Sequence, residues 1–348
     1  MLSKFKKAMI VVYMGKIPPY FQLWTKSCSY NEDYDFLFFT DQHIERESLP
    51  KNVLLHSITL DNVNERLGRM FGNDCKISSN YKLCDLRPLY GEIFSEELNG
   101  YDFWGHCDTD LIFGNISHFL TDDILSKYDK VLTLGHFTLY RNTDFVNSVY
   151  RTKDKRNRYK EMLATNNSCF FDEGIFNQII PLYRKKKLFP VWLYDDRYNV
   201  NSIFADNNIP IYINFDIIAD INYFEDNLQL CWGSCVDYRD SNSMHSVFCW
   251  EKGRLRRYYL NRGEVKNEEF MYIHLQKRSM ENRITDVDSD KFFILKHSFE
   301  DHHKITTDFL KHSNVNVRSF KDIKKACMRK IKHNGHRMKV MLQRFFNK

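Results

Sequence analysis

Residues 101–116 read YDFWGHCDTDLIFGNI. The apolar run from Tyr101 to Cys107 predicts a buried strand, and Asp108 and Asp110 stand two apart where it should end. In open α/β sheets, ligands bind beyond the carboxyl ends of the strands, at a switch point. Two carboxylates there suit a hard divalent cation, which can in turn hold a diphosphate. The triplet alone has no weight. With 29 Asp in 348 residues, roughly two Asp-x-Asp matches are expected by chance. Four occur: Asp33/Asp35, Asp108/Asp110, Asp286/Asp288 and Asp288/Asp290. Asp33/Asp35 precedes a strand and Asp286 to Asp290 lies in a polar segment, so both read as solvated turns. Only Asp108/Asp110 joins an apolar strand before it to an apolar segment and Gly114 after it.

Working outward, Ala8 to Met14, Phe36 to Phe39 and Val53 to Ile58 read as short buried strands. Pro19 to Ser29 and Asp61 to Phe71 read as helices, with Pro19 in a first turn and Asp61 as N-cap. Ser79 to Leu98 reads as a helix kinked or restarted at Pro88. Downstream, Ser117 to Ser126 predicts a helix and Lys130 to Leu134 a strand. This alternation predicts an α/β fold with a mostly parallel central sheet flanked by helices. Beyond residue 140, Asp172 to Leu188 reads as a helix interrupted near Pro181. Ile209 to Phe215, Val247 to Trp250, Phe270 to Leu275 and Phe292 to Lys296 read as strands. Phe248 to Tyr259 reads as a hairpin turning at Glu251-Lys252-Gly253. No internal repeat is visible. Residues 1–300 are expected to form one body, and 301–348 an appendage.

Composition narrows the class. With 20 Tyr and 28 Phe the chain is too aromatic to be disordered, and 13 Gly with 7 Pro exclude collagen-like and low-complexity classes. No apolar run approaches the length of a membrane span. The start, MLSKFKKAMIVVYMGKIPPY, imitates a signal peptide, but its apolar run is short and Lys16, Pro18 and Pro19 follow at once. A buried first strand is the better reading. Nine Cys without a CxxC suit free thiols in a reducing cytoplasm. The net charge of +6 is uneven: Arg318 to Lys348 carries eleven Lys and Arg against Asp322 alone, so the rest of the chain is net acidic. Nucleic-acid binding by the whole protein is therefore not expected.

The run YKLCDLRPLYGEIFSEELNGYDFWGHCDTDLIFGNI, Tyr81 to Ile116, resembles the core of the bacterial GT-A (Rossmann-like) glycosyltransferases. More specifically it resembles the glycosyltransferase-like proteins of capsule and lipopolysaccharide gene clusters. The family pattern is a helix bearing Lys, Asp and Arg, then a strand, then an Asp-x-Asp gripping Mn2+ or Mg2+ on the donor diphosphate. The likeness implies a catalytic domain over 1–300. It also implies sugar transfer from a nucleotide-sugar donor, a UDP-sugar first among them, to a saccharide or lipid-linked saccharide. It departs from better-known relatives at Pro88, where a helix-continuing residue is common.

Further residues take roles from this likeness. Lys82 and Asp85 are three apart and share a helix face; the pair reads equally as a surface ion pair or as donor-binding groups, with Arg87 beside them. Thr40 and Asp41 end the second strand, where such folds meet base and ribose; a turn residue and an N-cap is the equal alternative. His274 and Lys277, in YIHLQKR, partly match the late His-x-x-Gly-x-x-Lys of retaining enzymes, where His completes the metal site and Lys meets the diphosphate. The matching Gly is missing. Asp172 and Glu173, in FFDEGIFNQ, stand where the resembled enzymes place acids beside the acceptor hydroxyl, as general base or orienting group. Acids favoured at a helix N-terminus are the bland reading. Trp104 reads as core.

Two other classes compete. An aspartate-nucleophile phosphatase would use Asp108 as nucleophile and Asp110 as acid/base, though its motif normally sits on the first strand. A non-enzymatic membrane- or polyanion-binding module would act through the tail. There Phe320, Ile323, Cys327 and Ile331, then Met338, Met341, Leu342 and Phe345, recur at helical spacing among Lys and Arg. A basic amphipathic helix over 317–348 is the composition of a segment lying on an anionic membrane. The expected location is cytoplasmic, peripheral on the inner face of the cell membrane.

Overall fold

The first strands of the chain are β1 (Lys7–Tyr13), β2 (Tyr34–Thr40), β3 (Val53–Ser57), β4 (Phe103–Cys107), β5 (Leu111–Phe113), β6 (Lys130–Leu134) and β7 (Phe137–Arg141). This is a computed structural model, describing residues 3–127, 129–153, 157–172, 212–214, 217–218, 246–275, 280–286, 288–295 and 297–313. All but β5 form one sheet in the order β3-β2-β1-β4-β7-β6. The half from β3 to β4 is parallel, as its intervening helical connections require. β7 runs antiparallel to both β4 and β6. The sheet is therefore mixed: three of its five pairings are parallel, and β7 alone runs against the other strands of the expected mostly parallel sheet. Only Gly135-His136 separates β6 from β7, and so short a connection can join only antiparallel strands.

Helix α1 (Phe21–Ser29) packs fully buried Trp24 against Phe36 and Phe38 of β2. Helix α2 (Leu60–Phe71) is capped by Thr59, not by Asp61: the Thr59 hydroxyl accepts from Asn62 N (3.2 Å) and Thr59 N donates back to Asn62 Oδ1 (3.0 Å). Asp61 sits instead in the first turn, where the helix dipole favours it. The expected helix over Ser79–Leu98 is also corrected. It is a long 3-10 helix, Asn80–Leu89, followed by the single turn α3 (Tyr90–Ile93). Leu83, Leu86 and Leu89 recur every third residue and all are buried, and three residues per turn stack them directly above one another on one face. The stretch read as one helix from Ser117 divides into α4 (Ile116–Phe119) and α5 (Asp122–Lys127).

The remaining strands are β8 (Tyr212–Asn214), β9 (Ile217–Ile218), β10 (Ser246–Glu251), β11 (Arg254–Asn261), β12 (Glu264–Phe270), β13 (Tyr272–His274), β14 (Glu281–Asn282), β15 (Lys291–Ile294) and β16 (Ser298–Glu300). A second sheet has the order β12-β11-β10-β15-β16-β14, and a small third sheet the order β5-β13-β8-β9. The β10–β11 hairpin turns at Lys252-Gly253, both at positive φ (+46° and +75°), as a two-residue hairpin requires. The strand expected over Phe270–Leu275 is split at Met271, where the chain leaves the second sheet for the third.

Each large sheet has its own core, and the second includes Ile112, Trp250 and Phe292. The two are tied at β5, where Trp250 Nε1 donates to Phe113 O (2.8 Å). Gly114 lies at this seam; a Cβ there would come within 2.5 Å of the Phe270 carbonyl oxygen. Gly114→Ala is expected to destabilise the chain by about 1–3 kcal/mol, as overpacking against backbone does, read as a lower urea midpoint. An unchanged midpoint would contradict that close approach. Leu310, in the helix Thr307–His312, is buried in the second core, so packing continues past residue 300, where the domain boundary is expected. The expected helix Asp172–Leu188 beyond its first residue, and the basic tail from 314, lie outside the described residues. Among the described residues no helix is long and apolar enough to cross a membrane.

Candidate metal and ligand site

Strand β4 ends at Cys107, and the next amide, Asp108 N, donates to His136 O of the β6–β7 turn (3.1 Å). Three residues later, at Leu111, β5 begins, already in the third sheet. The Asp108-Thr109-Asp110 connector is thus the point where the chain switches sheets. Strand β13 pairs antiparallel with β5, with His274 opposite Leu111, and Leu275 N donates to Asp110 O (2.8 Å). This pairing brings the imidazole to the carboxylates. His274 Nε2 is 3.5 Å from Asp110 Oδ1, and ligand atoms of Asp108, Asp110 and His274 all lie within 4.8 Å of one another. His136 stacks on the His274 ring at 4.2 Å and 19°. Burial first, then the neighbouring His274 and Arg87, push the His136 pKa well below the usual imidazole range, so it stacks as a neutral ring.

The 3-10 helix sorts its residues into three faces. Leu83, Leu86 and Leu89 enter the core, Leu83 also reaching the wall of a cavity of about 770 Å3; Tyr81, Cys84 and Arg87 line that cavity; Lys82 and Asp85 form the third face. Arg87 forks between two carboxylates: Nη2 donates to Asp108 Oδ1 and Nη1 to Asp172 Oδ2, the latter at 3.0 Å. Burial opposes its charge, but Asp108 and the other neighbours outweigh burial and raise its pKa well above the usual value.

Lys82 and Asp85 pair at 3.0 Å with side chains 0% and 1% exposed, so they are not a surface ion pair. Their remaining bonds go to backbone, apart from a contact of Lys82 Nζ with Cys169 Sγ (3.6 Å). Lys82 Nζ donates to Asn167 O (2.9 Å), while Asp85 accepts from Cys169 N (2.8 Å) and Phe171 N (2.9 Å). The pair pins the 167–172 segment against the 3-10 helix. Asp85 reaches the cavity wall and Lys82 does not.

The cavity opens at the carboxyl ends of β1 and β4, and Tyr13, Tyr20, Asp108, Asp110, His136, Asp172 and His274 contribute to its wall. Among the described residues four carboxylates line the cavity, Asp85, Asp108, Asp110 and Asp172; Lys82 balances Asp85, and Arg87 bonds Asp108 and Asp172. The excess of two negative charges, with two carboxylates and an imidazole converging, fits a divalent cation of the Mn2+ or Mg2+ kind. Burial and then the Asp110 charge raise the Tyr13 and Tyr20 pKa values, so both phenols stay protonated as hydrogen-bond donors. Behind this wall, Lys130 is buried, and desolvation lowers its pKa to about 7 against the opposing pull of Asp172.

Thr40 and Asp41 do not line the cavity. Buried Thr40 accepts from Gln42 N (3.2 Å), and exposed Asp41 accepts from Gly15 N (3.0 Å), which ties the ends of β1 and β2 together. Trp104 is core, its Nε1 donating to Asn147 Oδ1 (2.7 Å). Asp33 pairs with buried Lys7 (2.7 Å), Asp35 accepts from Tyr101 Oη (2.7 Å), and Asp290 accepts from Tyr30 Oη (2.5 Å). Asp33 and Asp35 are thus half-buried and paired, not solvated, while Asp286, Asp288 and Asp290 are exposed, as a solvated turn requires. Lys277 and Glu173 lie outside the described residues. Tyr13 and His136 were missed from sequence. Tyr13 ends a parallel strand, a signal that could have found it; His136, in a two-residue turn, carries none.

The family model described as "Family of unknown function (DUF6625)" matches residues 9–303. The chain belongs to that family. No curated protein matches the sequence. Among solved structures, the chain is similar to the mannosyltransferase Ktr4p from S. cerevisiae, with 13% identity, a TM-score of 0.22, and 38% of this chain and 39% of that one covered. It is also similar to the apo-form glycosyltransferase GlyE of Streptococcus pneumoniae TIGR4, with 16% identity, a TM-score of 0.28, and 58% and 50% covered. The chain therefore spans less than two thirds of either structure's length.

Proposed function

We propose that this member of the DUF6625 family is a metal-dependent glycosyltransferase. It would move a sugar from a nucleotide-sugar donor, a UDP-sugar first among the candidates, to a saccharide or lipid-linked saccharide of a bacterial surface polysaccharide such as capsule or lipopolysaccharide. The observation that carries the reading is the Asp108, Asp110 and His274 cluster in the wall of a cavity of about 770 Å3 beyond the ends of β1 and β4. The resemblance of Tyr81 to Ile116 to the GT-A core supports it, and the basic tail would hold the enzyme at an anionic membrane.

A divalent ion held by Asp108, Asp110 and His274 would bind the donor diphosphate and stabilise charge on the leaving phosphate. The chain's own groups do the rest. Arg87 fixes the orientation of Asp108 and Asp172 by bonding both. Tyr13 and Tyr20, kept protonated, can donate to phosphate or sugar oxygens. Asp172 accepts the proton of the acceptor hydroxyl in an inverting reaction, and in a retaining one orients the acceptor or stabilises positive charge at the anomeric carbon.

The test is a thermal shift assay against UDP-, GDP- and CMP-sugars with and without Mn2+. A ligand at 100 times its Kd adds about 2.7 kcal/mol to native-state stability, enough to raise the melting temperature visibly. The expected result is a rise with one donor class that needs the metal. No metal-dependent rise with any of them would overturn the reading.

A further inference from the structure

Five large hydrophobic side chains are exposed among the described residues, and two of them, Tyr81 and Phe170, line the cavity. Tyr81 is 52% exposed and Phe170 38%. Phe170 also has a backbone φ of +53°, a left-handed conformation that bulky residues avoid and that persists only where surrounding bonds impose it. Those bonds are present. Cys169 N and Phe171 N, on either side, both donate to Asp85, and Lys82 holds Asp85 and the Asn167 carbonyl. Phe171 is fully buried in the main core. One ring of the Phe170-Phe171 pair thus enters the core, while its neighbour stays in the cavity wall despite the strained backbone.

We propose that Phe170, with Tyr81 as a second aromatic wall, is the platform for the acceptor saccharide, an inference that rests on the transferase reading above. A pyranose ring has an apolar C–H face and an edge of hydroxyls. The π-face of an exposed aromatic side chain matches the first. The second meets Asp172, two residues along the same segment, whose Oδ2 is 3.0 Å from Arg87 Nη1. The pinned segment therefore carries both a stacking surface and a hydroxyl-accepting carboxylate. The Lys82–Asp85 pair acts as a positioning device for them, not as a donor ligand.

The experiment is saturation-transfer NMR on the full chain with the methyl glycosides of glucose, galactose, mannose, N-acetylglucosamine and rhamnose. Kd values for UDP, GDP and CMP with Mn2+ are measured in parallel. Wild type should transfer saturation to at least one glycoside. Phe170→Gly should lower that signal fivefold or more, Phe170→Tyr should restore it, and nucleotide Kd should stay within twofold. Glycine adopts positive φ freely, so Phe170→Gly should keep its melting temperature. No glycoside signal from wild type, an undiminished signal from Phe170→Gly, or a lowered melting temperature overturns the platform. A selective loss of nucleotide affinity makes it a base-stacking site and also overturns the proposal. Absence of nucleotide binding to wild type would instead sink the transferase reading, while the glycoside arm still reports on Phe170.

Discussion

Asp110→Asn is expected to weaken Mn2+ binding by at least about 100-fold, beyond the 10- to 100-fold typical of losing a group behind a ligand. Turnover with any accepted donor should fall by roughly two to three orders of magnitude, as when one preorganised electrostatic group is removed. Asparagine keeps the shape of the side chain, and the backbone bond from Leu275 N to Asp110 O (2.8 Å) does not involve it. The fold should therefore survive. The metal-free variant should melt no lower than wild type, because Asp108 and Asp110 repel each other without a cation between them. Titration calorimetry with Mn2+ and the melting temperature of the metal-free protein test both halves. Unchanged Mn2+ affinity would put the metal elsewhere, and a much lower melting temperature would make Asp110 a packing residue.

The second large effect concerns stability. Asp85→Ala is expected to cost about 3–5 kcal/mol, the loss typical of breaking a buried ion pair from one side. It leaves the Lys82 ammonium buried and removes the acceptor of Cys169 N and Phe171 N together. Lys82→Met should cost less, about 1–3 kcal/mol, because Asp85 keeps both amide donors. Replacing both residues by apolar ones should recover little, since the two amides remain without their carboxylate. Urea unfolding of the three variants checks this order. Equal losses from the two single substitutions would reduce the pair to a simple ion pair and remove its hold on the 167–172 segment.

These residues mark how far the sequence could be read. Asp108 and Asp110 were legible because their environment is local: a strand's end is set by the residues beside it. The alternation of elements likewise gave the parallel half of the central sheet. The stretch Ser79–Leu98 is expected as one helix broken at Pro88; the three-residue recurrence of Leu83, Leu86 and Leu89, which marks the 3-10 turn, forms no part of that expectation. What sequence could not supply was every contact made across sheets. His274 was a candidate through its resemblance alone; the β5–β13 register is what carries it to Asp110. Lys82 and Asp85 could be paired by spacing, yet their backbone partners at Asn167, Cys169 and Phe171 arrive from a distant segment. That arrival decided that the pair faces inward. The sequence by itself determined which chemistry the chain could carry at a strand's end, because propensity and patterning act over a few residues. Only the tertiary structure decided which distant imidazole, guanidinium and backbone amides meet it, because those encounters depend on sheet register and the packing of two cores.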